Sequence, residues 1–244
     1  MKGAVLRVPV DLCGFAISNS FVRPFQVYIA LKLETSGVTK FTNTFLQTIA
    51  DKTGLGTIRA VRNNVNKLIR RNWIGYDRKH KNYWIRGFDT VRKIENCGFN
   101  TAAVFHPHYL KTYKQFLTGA YFGYLALYQE KKLRAAARTS YSAEQAALKN
   151  FRHFPVALNA IVKILNIPKN KVFRYKAEAA AAGFLSIIPN FTLTDIPSSL
   201  YMAYLKSRPE LIGRVTVKDG KLQIRNPDLI KSNIFYCRRK KIAL

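Results

Sequence analysis

The stretch that decides the fold prediction is residues 57–71, TIRAVRNNVNKLIRR. Its apolar residues are three, four, three and one positions apart, which is typical of a helix buried on one side; they are Ile58, Val61, Val65, Leu68 and Ile69. Thr57 is a good N-cap for this helix. No acidic residue occurs between residues 59 and 76. Exposed helices ordinarily mix both signs of charge, so this basic face indicates a polyanionic partner.

The neighbouring segments predict two helices before this one and a hairpin after it. Arg23-Pro24 begins an apolar helix that Gly37 ends, and Thr42-Asn43-Thr44 begins a second one. The run Gly54-Leu55-Gly56 predicts a tight turn before residue 57. Residues 75–82 form a polar, basic loop between two β-rich apolar runs, which predicts a hairpin.

This order of elements, from Pro24 to Ile85, resembles the winged helix-turn-helix superfamily. The resemblance implies that the basic helix reads base edges in the major groove of DNA and that the hairpin is a wing on the phosphate backbone. The DNA-binding residues it implies on the helix are Thr57, Arg59, Arg62, Asn63, Asn66, Lys67 and Arg70. Those it implies in the wing are Arg78, Lys79 and Lys81.

A similar pattern recurs at residues 118–195. An apolar helix over residues 118–132 is followed by a helix beginning at Pro155, a turn, a basic helix over residues 171–182 and a strand leading into a wing at Pro189. The phrase from Ala160 to Leu185 resembles the helix-turn-helix of bacterial and phage regulators. That resemblance implies a second set of contacts, made by Lys169, Asn170, Lys171, Arg174 and Lys176.

The two patterns together predict a mainly α protein with small β-hairpins and two tandem winged-helix domains. The first domain, with an N-terminal strand that could pair with a wing, covers residues 1–95 and a connection covers residues 96–117. The second domain covers residues 118–200. Residues 201–244 hold a hairpin around Asp219-Gly220 and a basic tail that we expect to clamp phosphates; its residues are Arg238, Arg239, Lys240 and Lys241. Two such domains in one chain resemble the replication initiators of plasmids and phages.

The charge balance is the strongest global property of the sequence. Its 41 Lys and Arg against 13 Asp and Glu give a formal net charge of +28, which a polyanion would neutralise. No apolar run approaches the ~20 residues of a membrane-spanning helix, and the three cysteines indicate neither disulfides nor a zinc cluster. We therefore expect a cytoplasmic protein without cofactor or metal. Residues 177–182, which are alanine except for Glu178, suit either a homodimer or inter-domain contact or an apolar core face.

Enzymatic activity is not expected, because the sequence has no Gly-rich phosphate loop and few acidic residues. One alternative is a metal-dependent nicking enzyme that uses His106-Pro107-His108 and a nearby tyrosine. Pro107 and the lack of an adjacent acidic ligand favour a simple turn between domains instead.

The predicted function is duplex DNA binding in a bacterium, phage or plasmid, in replication initiation or transcriptional regulation. A viral packaging or structural protein that binds nucleic acid without sequence preference is the main alternative, which the extreme charge favours. An RNA-binding protein is a second alternative, but most aromatic residues lie in core-like positions rather than on stacking platforms.

Overall fold

The structure, a computed structural model, describes residues 5–35, 37–139 and 153–239. Within these ranges it has nine helices and ten strands in three sheets, with 53% helix and 24% strand, which is a mixed α/β fold. The helices are α1 (Val10–Ser18), α2 (Val22–Glu34), α3 (Asn43–Thr53), α4 (Ile58–Arg70), α5 (Phe88–Ile94), α6 (Tyr113–Thr139), α7 (Leu158–Leu165), α8 (Lys169–Ala181) and α9 (Tyr201–Ser207).

The strands fall into three antiparallel groups. They are β1 (Leu6–Pro9), β2 (Val38–Thr39), β3 (Ile74–Asp77), β4 (Asn82–Ile85), β5 (Thr101–Phe105), β6 (Phe154–Pro155), β7 (Leu185–Pro197), β8 (Val215–Lys218), β9 (Lys221–Ser232) and β10 (Tyr236–Arg238). The prediction of a mainly α fold with two tandem winged-helix domains is therefore wrong. Its main error is the size of the sheets, because β7 and β9 are long strands paired in one sheet and not parts of a short wing and a separate hairpin.

The basic helix α4 forms as its sequence predicts. Thr57 caps it, since its Oγ1 accepts a hydrogen bond from the Ala60 N–H at 3.2 Å. Thr42 caps α3 in the same way. Between the two helices, Gly54 and Gly56 have φ values of +68° and +75°, a left-handed conformation that glycine adopts without steric cost. The turn thus lets α3 and α4 pack against α2 with their apolar faces inward.

The predicted hairpin after α4 is also present. Strands β3 and β4 pair in a register that places Ile74 opposite Ile85 and Asp77 opposite Asn82, and β2 adds to the other edge of β4. Residues 78–81 form the tip. The hairpin follows a buried Trp73, whose indole is surrounded by aromatic rings; these are Phe15, Phe21, Phe25 and Tyr28, at centroid distances of 5.2–5.9 Å.

The N-terminal strand pairs within a different sheet from the one that contains the hairpin. Strand β1 pairs with β5, with Leu6 opposite Phe105, and β5 pairs on its other edge with β10, with Tyr236 opposite Ala103. The expected pairing of this strand with a wing is therefore wrong. Segments near both ends of the described chain thus belong to one sheet, on opposite edges of β5.

The predicted second wing at Pro189 is replaced by a continuous strand. β7 runs through Pro189 and pairs with β9, and the register shifts between Ile188 and Asn190. A bulge is a position where a strand tolerates a residue without an N–H. The predicted hairpin at Asp219-Gly220 joins β8 to β9. The result is one sheet in which β9 pairs with β6, β7 and β8.

Helix α6 packs against elements of both halves of the chain, among them α1, α8 and β9. One buried hydrophobic cluster extends from Val8 to Ile234, while a smaller one lies around Leu211, Val215 and Leu222. The larger cluster contains residues of both predicted domains, and the domain boundaries stay a prediction.

Close packing on α6 depends on Gly123. A Cβ there would lie 2.5 Å from both Ser232 Oγ and Tyr236 Oη, which are 3.0 Å apart and hydrogen-bonded to each other. We expect Gly123→Ala to lower the free energy of unfolding by ~1–2 kcal/mol, because the overlap outweighs the gain in helix propensity. Gly87 is a matched control, because a Cβ added to it would meet nothing within 4 Å. Gly87→Ala should change stability by only ~0.5 kcal/mol in urea unfolding. Equal losses in the two variants would contradict the packing argument.

A buried ion pair joins α1 to α5. Arg92 is fully buried, and its Nε donates to Asp11 Oδ2 at 3.0 Å. Asp11 also accepts hydrogen bonds from the N–H groups of Leu12 and Phe99, at 2.9 and 3.0 Å. Burial raises the pKa of Asp11, and the hydrogen bond and charge of Arg92 oppose that rise.

Candidate nucleic-acid interface

Helix α4 presents its basic side chains to solvent. The predicted contact residues are spaced three, one, three, one and three positions apart, which places them on one helical face; all six are exposed, namely Arg59, Arg62, Asn63, Asn66, Lys67 and Arg70. Val61, Val65 and Leu68 are buried on the opposite side. Thr57, at the N-cap, is exposed beside this face. The burial of the apolar residues thus fixes which side of α4 faces outward.

Asn64 is buried, unlike the other two asparagines of α4. It is 8% exposed, and its Nδ2 donates to the Ala60 carbonyl oxygen at 2.8 Å, within its own helix. Asn63 and Asn66 are exposed. Only the latter two can therefore present an amide to a base edge.

The hairpin tip adds three exposed cations, Arg78, Lys79 and Lys81. Asp77 shapes the tip: its Oδ1 accepts from the Lys79 N–H at 2.9 Å, and its Oδ2 lies 2.5 Å from His80 Nδ1. The hydrogen bond from His80 is the main reason that the pKa of Asp77 lies below its usual value. The Asp77 carboxylate is thus hydrogen-bonded to groups of its own turn.

Sequence reasoning missed the contacts that Arg62 of α4 makes with α3 and with the hairpin. Arg62 Nη2 donates to Asn43 Oδ1 at 2.6 Å, which fixes the guanidinium at the start of α3. Arg62 also lies near Tyr83 of β4: burial raises the pKa of Tyr83, and the charge of Arg62 opposes this. The position of Asn43 next to the N-cap of α3 is a sequence signal, but its distance from residue 62 along the chain gives no sign of the contact.

A stack of aromatic rings supports the same corner. Phe41 lies 4.1 Å from Tyr83 and 5.9 Å from Phe45, measured between ring centroids, with near-parallel planes. Tyr76 stacks on Tyr83, with 4.5 Å between the ring centroids. The rings thus pack the hairpin against the start of α3, and α3 in turn contacts α4.

Charge on this surface is uncompensated within the described ranges. No carboxylate there lies within 4.0 Å of a basic nitrogen of the seven cations on α4 and the hairpin tip; these are Arg59, Arg62, Lys67, Arg70, Arg78, Lys79 and Lys81. By contrast, Arg71 is paired, and it forms two hydrogen bonds of 2.9 Å with Glu95. We name Thr57, Asn63, Asn66 and the seven cations together the α4–hairpin surface.

The second predicted contact set is less available. Lys169, Asn170 and Arg174 are exposed and Lys171 is half-buried, but Lys176 is buried and paired with Asp228. Glu178 contacts Arg174 at 3.6 Å as well as Lys114 at 2.6 Å. Because Lys176 points into the protein, it is not part of an exposed contact face.

The basic tail also contains both an exposed and a paired cation. Arg238 is exposed, whereas Arg239 donates to the Arg7 carbonyl oxygen at 2.9 Å and to Asp89 Oδ1 at 2.7 Å. Arg239 thus anchors the end of β10 to the protein. Lys240 and Lys241, the other predicted clamp residues, lie outside the described residues.

The two histidines of the alternative nicking site lie together at the end of β5, with ring centroids 5.5 Å apart. Pro107 begins a short 3-10 helix and not a strand. Across the described part of the chain, no group of three or more His, Cys, Asp and Glu side chains is arranged to hold a metal ion.

Comparison with protein-family models, with curated protein sequences and with solved structures gives no significant match. In residues 5–35, 37–139 and 153–239, no helix has the length and apolar character needed to cross a bilayer.

Proposed function

We propose that this protein binds duplex DNA through the α4–hairpin surface. The observation that carries the proposal is the set of seven exposed cations with no carboxylate partner in the described structure, on a helix and a hairpin that contact each other. Such a surface repels itself, and phosphates relieve this repulsion while their counterions are released.

The side chains on α4 also suit base recognition. An α-helix fits the major groove, where Arg can bond to guanine and Asn to adenine through two hydrogen bonds each. Arg62, Asn63 and Asn66 lie on the exposed face, and Asn43 holds the Arg62 guanidinium before any ligand arrives. A side chain that is already positioned loses less entropy on binding. We therefore infer that α4 contributes to sequence preference, while Arg78, Lys79 and Lys81 contact phosphates.

The test first selects preferred duplexes from a fragment library at physiological salt, and then measures affinity for a selected and a random duplex. Arg62→Ala should weaken binding to the selected duplex by ~1–3 kcal/mol and relax preference at one base pair. Lys79→Ala should weaken both duplexes about equally. Lys206→Ala is the control, because Lys206 is an exposed cation on α9, outside the proposed surface. Wild-type affinity in both Arg62→Ala and Lys79→Ala would refute the proposal.

Binding without sequence preference, as in a viral packaging or structural protein, is the second candidate. The net charge of +28 favours it, since such a charge attracts any polyanion. In that case no duplex survives selection, and Arg62→Ala weakens the affinity for every sequence to the same extent.

The cellular process is also part of the proposal. A sequence-preferring protein would act in replication initiation or transcriptional regulation, in the bacterial nucleoid or a phage-infected cell. Retained fragments that cluster at an origin of replication would favour initiation, and fragments from promoters would favour regulation.

A further inference from the structure

A cavity that shares no lining residue with the α4–hairpin surface lies between α6 and the strands β5 and β10. Its volume is about 390 Å³, and its lining includes Tyr124, Tyr128, Lys131 and Arg238. This volume is within the ordinary range of small-molecule sites. No carboxylate is among the described residues that line it.

The lining of this cavity combines cations, which can bind a phosphate, with aromatic rings, on which a base can stack. Lys131 and Arg238 are exposed cations suited to a phosphate. Tyr128 is 58% exposed, and Tyr124 is held in place by Phe99 at a centroid distance of 5.2 Å. An aromatic ring beside a cation is the arrangement on which a nucleobase stacks while its phosphate is bound.

A polar group of the lining is also unpaired. Asn100 Oδ1 is buried and has no hydrogen-bond partner in the described structure, although Asn100 belongs to this cavity. A buried acceptor without a partner is unfavourable, and a ring N–H or amino group of a ligand would satisfy it after a small rotation of the amide.

We propose that this cavity binds a nucleotide, either free or as an unpaired residue of a nucleic-acid strand. The base lies against Tyr128 and donates to Asn100, and the phosphate lies between Lys131 and Arg238. The site does not depend on duplex binding by α4, so either property can fail without the other.

The cavity contains its own chemical probe, Cys237. The other two thiols are buried, and burial raises the pKa of Cys13 well above its usual value and that of Cys97 to about 12. Alkylation proceeds through the thiolate, so iodoacetamide should modify Cys237 first. Mass spectrometry of the intact protein follows the rate of this modification.

The experiment measures the rate of Cys237 alkylation in the full chain with adenosine 5′-monophosphate, with inorganic phosphate alone, and with a short single-stranded oligodeoxyadenylate. Adenosine 5′-monophosphate should slow alkylation in the wild type, and Lys131→Ala should raise the concentration needed by about tenfold. Lys132→Ala removes the same charge from the next position of α6, which does not line the cavity, and should keep the wild-type protection.

Protection by the oligonucleotide but not by the mononucleotide identifies an unpaired strand as the source of the nucleotide. Equal protection by inorganic phosphate shows that the base is not recognised, which overturns the proposal. The absence of protection by any nucleotide, or full protection in Lys131→Ala, overturns it as well.

Discussion

Replacing Arg92 by leucine is expected to lower the free energy of unfolding by ~3–5 kcal/mol. The guanidinium is fully buried and is the cation that faces the Asp11 carboxylate, with 3.0 Å between Nε and Oδ2. Leucine leaves the buried Asp11 carboxylate, which is only 8% exposed, without its cation, and it also removes the hydrogen bond to the Phe99 carbonyl oxygen. The cost of the unpaired carboxylate dominates, because removing one partner of a buried pair is far worse than removing both.

Urea unfolding followed by tryptophan fluorescence, to which the buried Trp73 and the exposed Trp84 contribute, measures the loss. Lys93→Leu is the matched control, since Lys93 is the next residue of α5 and is exposed; its effect should stay within ~0.5 kcal/mol. The double variant Asp11→Asn/Arg92→Leu should recover part of the stability. A loss for Arg92→Leu no greater than that for Lys93→Leu would show that the ion pair does not hold α1 against α5.

The deficit of Arg92→Leu should also depend on pH. Burial already raises the pKa of Asp11, and loss of the arginine removes the main influence that lowers it. A carboxyl whose pKa is higher in the folded than in the unfolded state stabilises the fold at low pH, and this contribution is lost as the pH rises through the folded-state pKa. Relative to wild type, the variant should therefore be less destabilised at about pH 4 than at about pH 7. Equal deficits at both pH values would mean that Asp11 does not titrate in the variant.

Removal of the four cations of α4 is expected to weaken duplex binding by about a hundredfold or more at physiological salt. The variant carries alanine at residues 59, 62, 67 and 70. Each lost phosphate contact should reduce the slope of log affinity against log salt by about 1, and therefore by about 3 in total if residues 59, 67 and 70 each contact a phosphate while Arg62 contacts a base. Alanine favours the helix and the four side chains are exposed, so the fold should remain intact.

A control with the same net charge separates local contacts from general attraction. It carries alanine in place of four exposed cations elsewhere, namely Lys132, Lys206, Arg208 and Lys218. We expect this control to lose little affinity. If the two variants show the same slope and the same loss, duplex binding is a property of the net charge and not of the α4–hairpin surface.

The sequence predicts α4 and its exposed face well because every determinant is local. The cap at Thr57, the spacing of Val61, Val65 and Leu68, and the glycine at residue 56 all lie within a few residues of one another. Neighbouring residues therefore suffice to define which side of the helix is buried.

The errors concern residues whose partners are distant in the chain. Lys176 reads as a surface contact, but its partner Asp228 lies 52 residues away and draws it into the interior. Pro189 reads as the end of a strand, yet the bulge opposite β9 accommodates it. The apolar alternation of β7 does not reveal its partner strand, and so the long sheet resembles two small hairpins in the sequence.

Strand β5 has consequences for the order of folding. Its two neighbours come from residues 6–9 and 236–238, so one edge pairs with chain that has already been synthesised and the other with chain made more than a hundred residues later. Contacts between such distant segments form slowly. During synthesis on the ribosome, β5 thus presents an open edge until residues 236–238 emerge, and over that interval the nascent chain is exposed to edge-to-edge association.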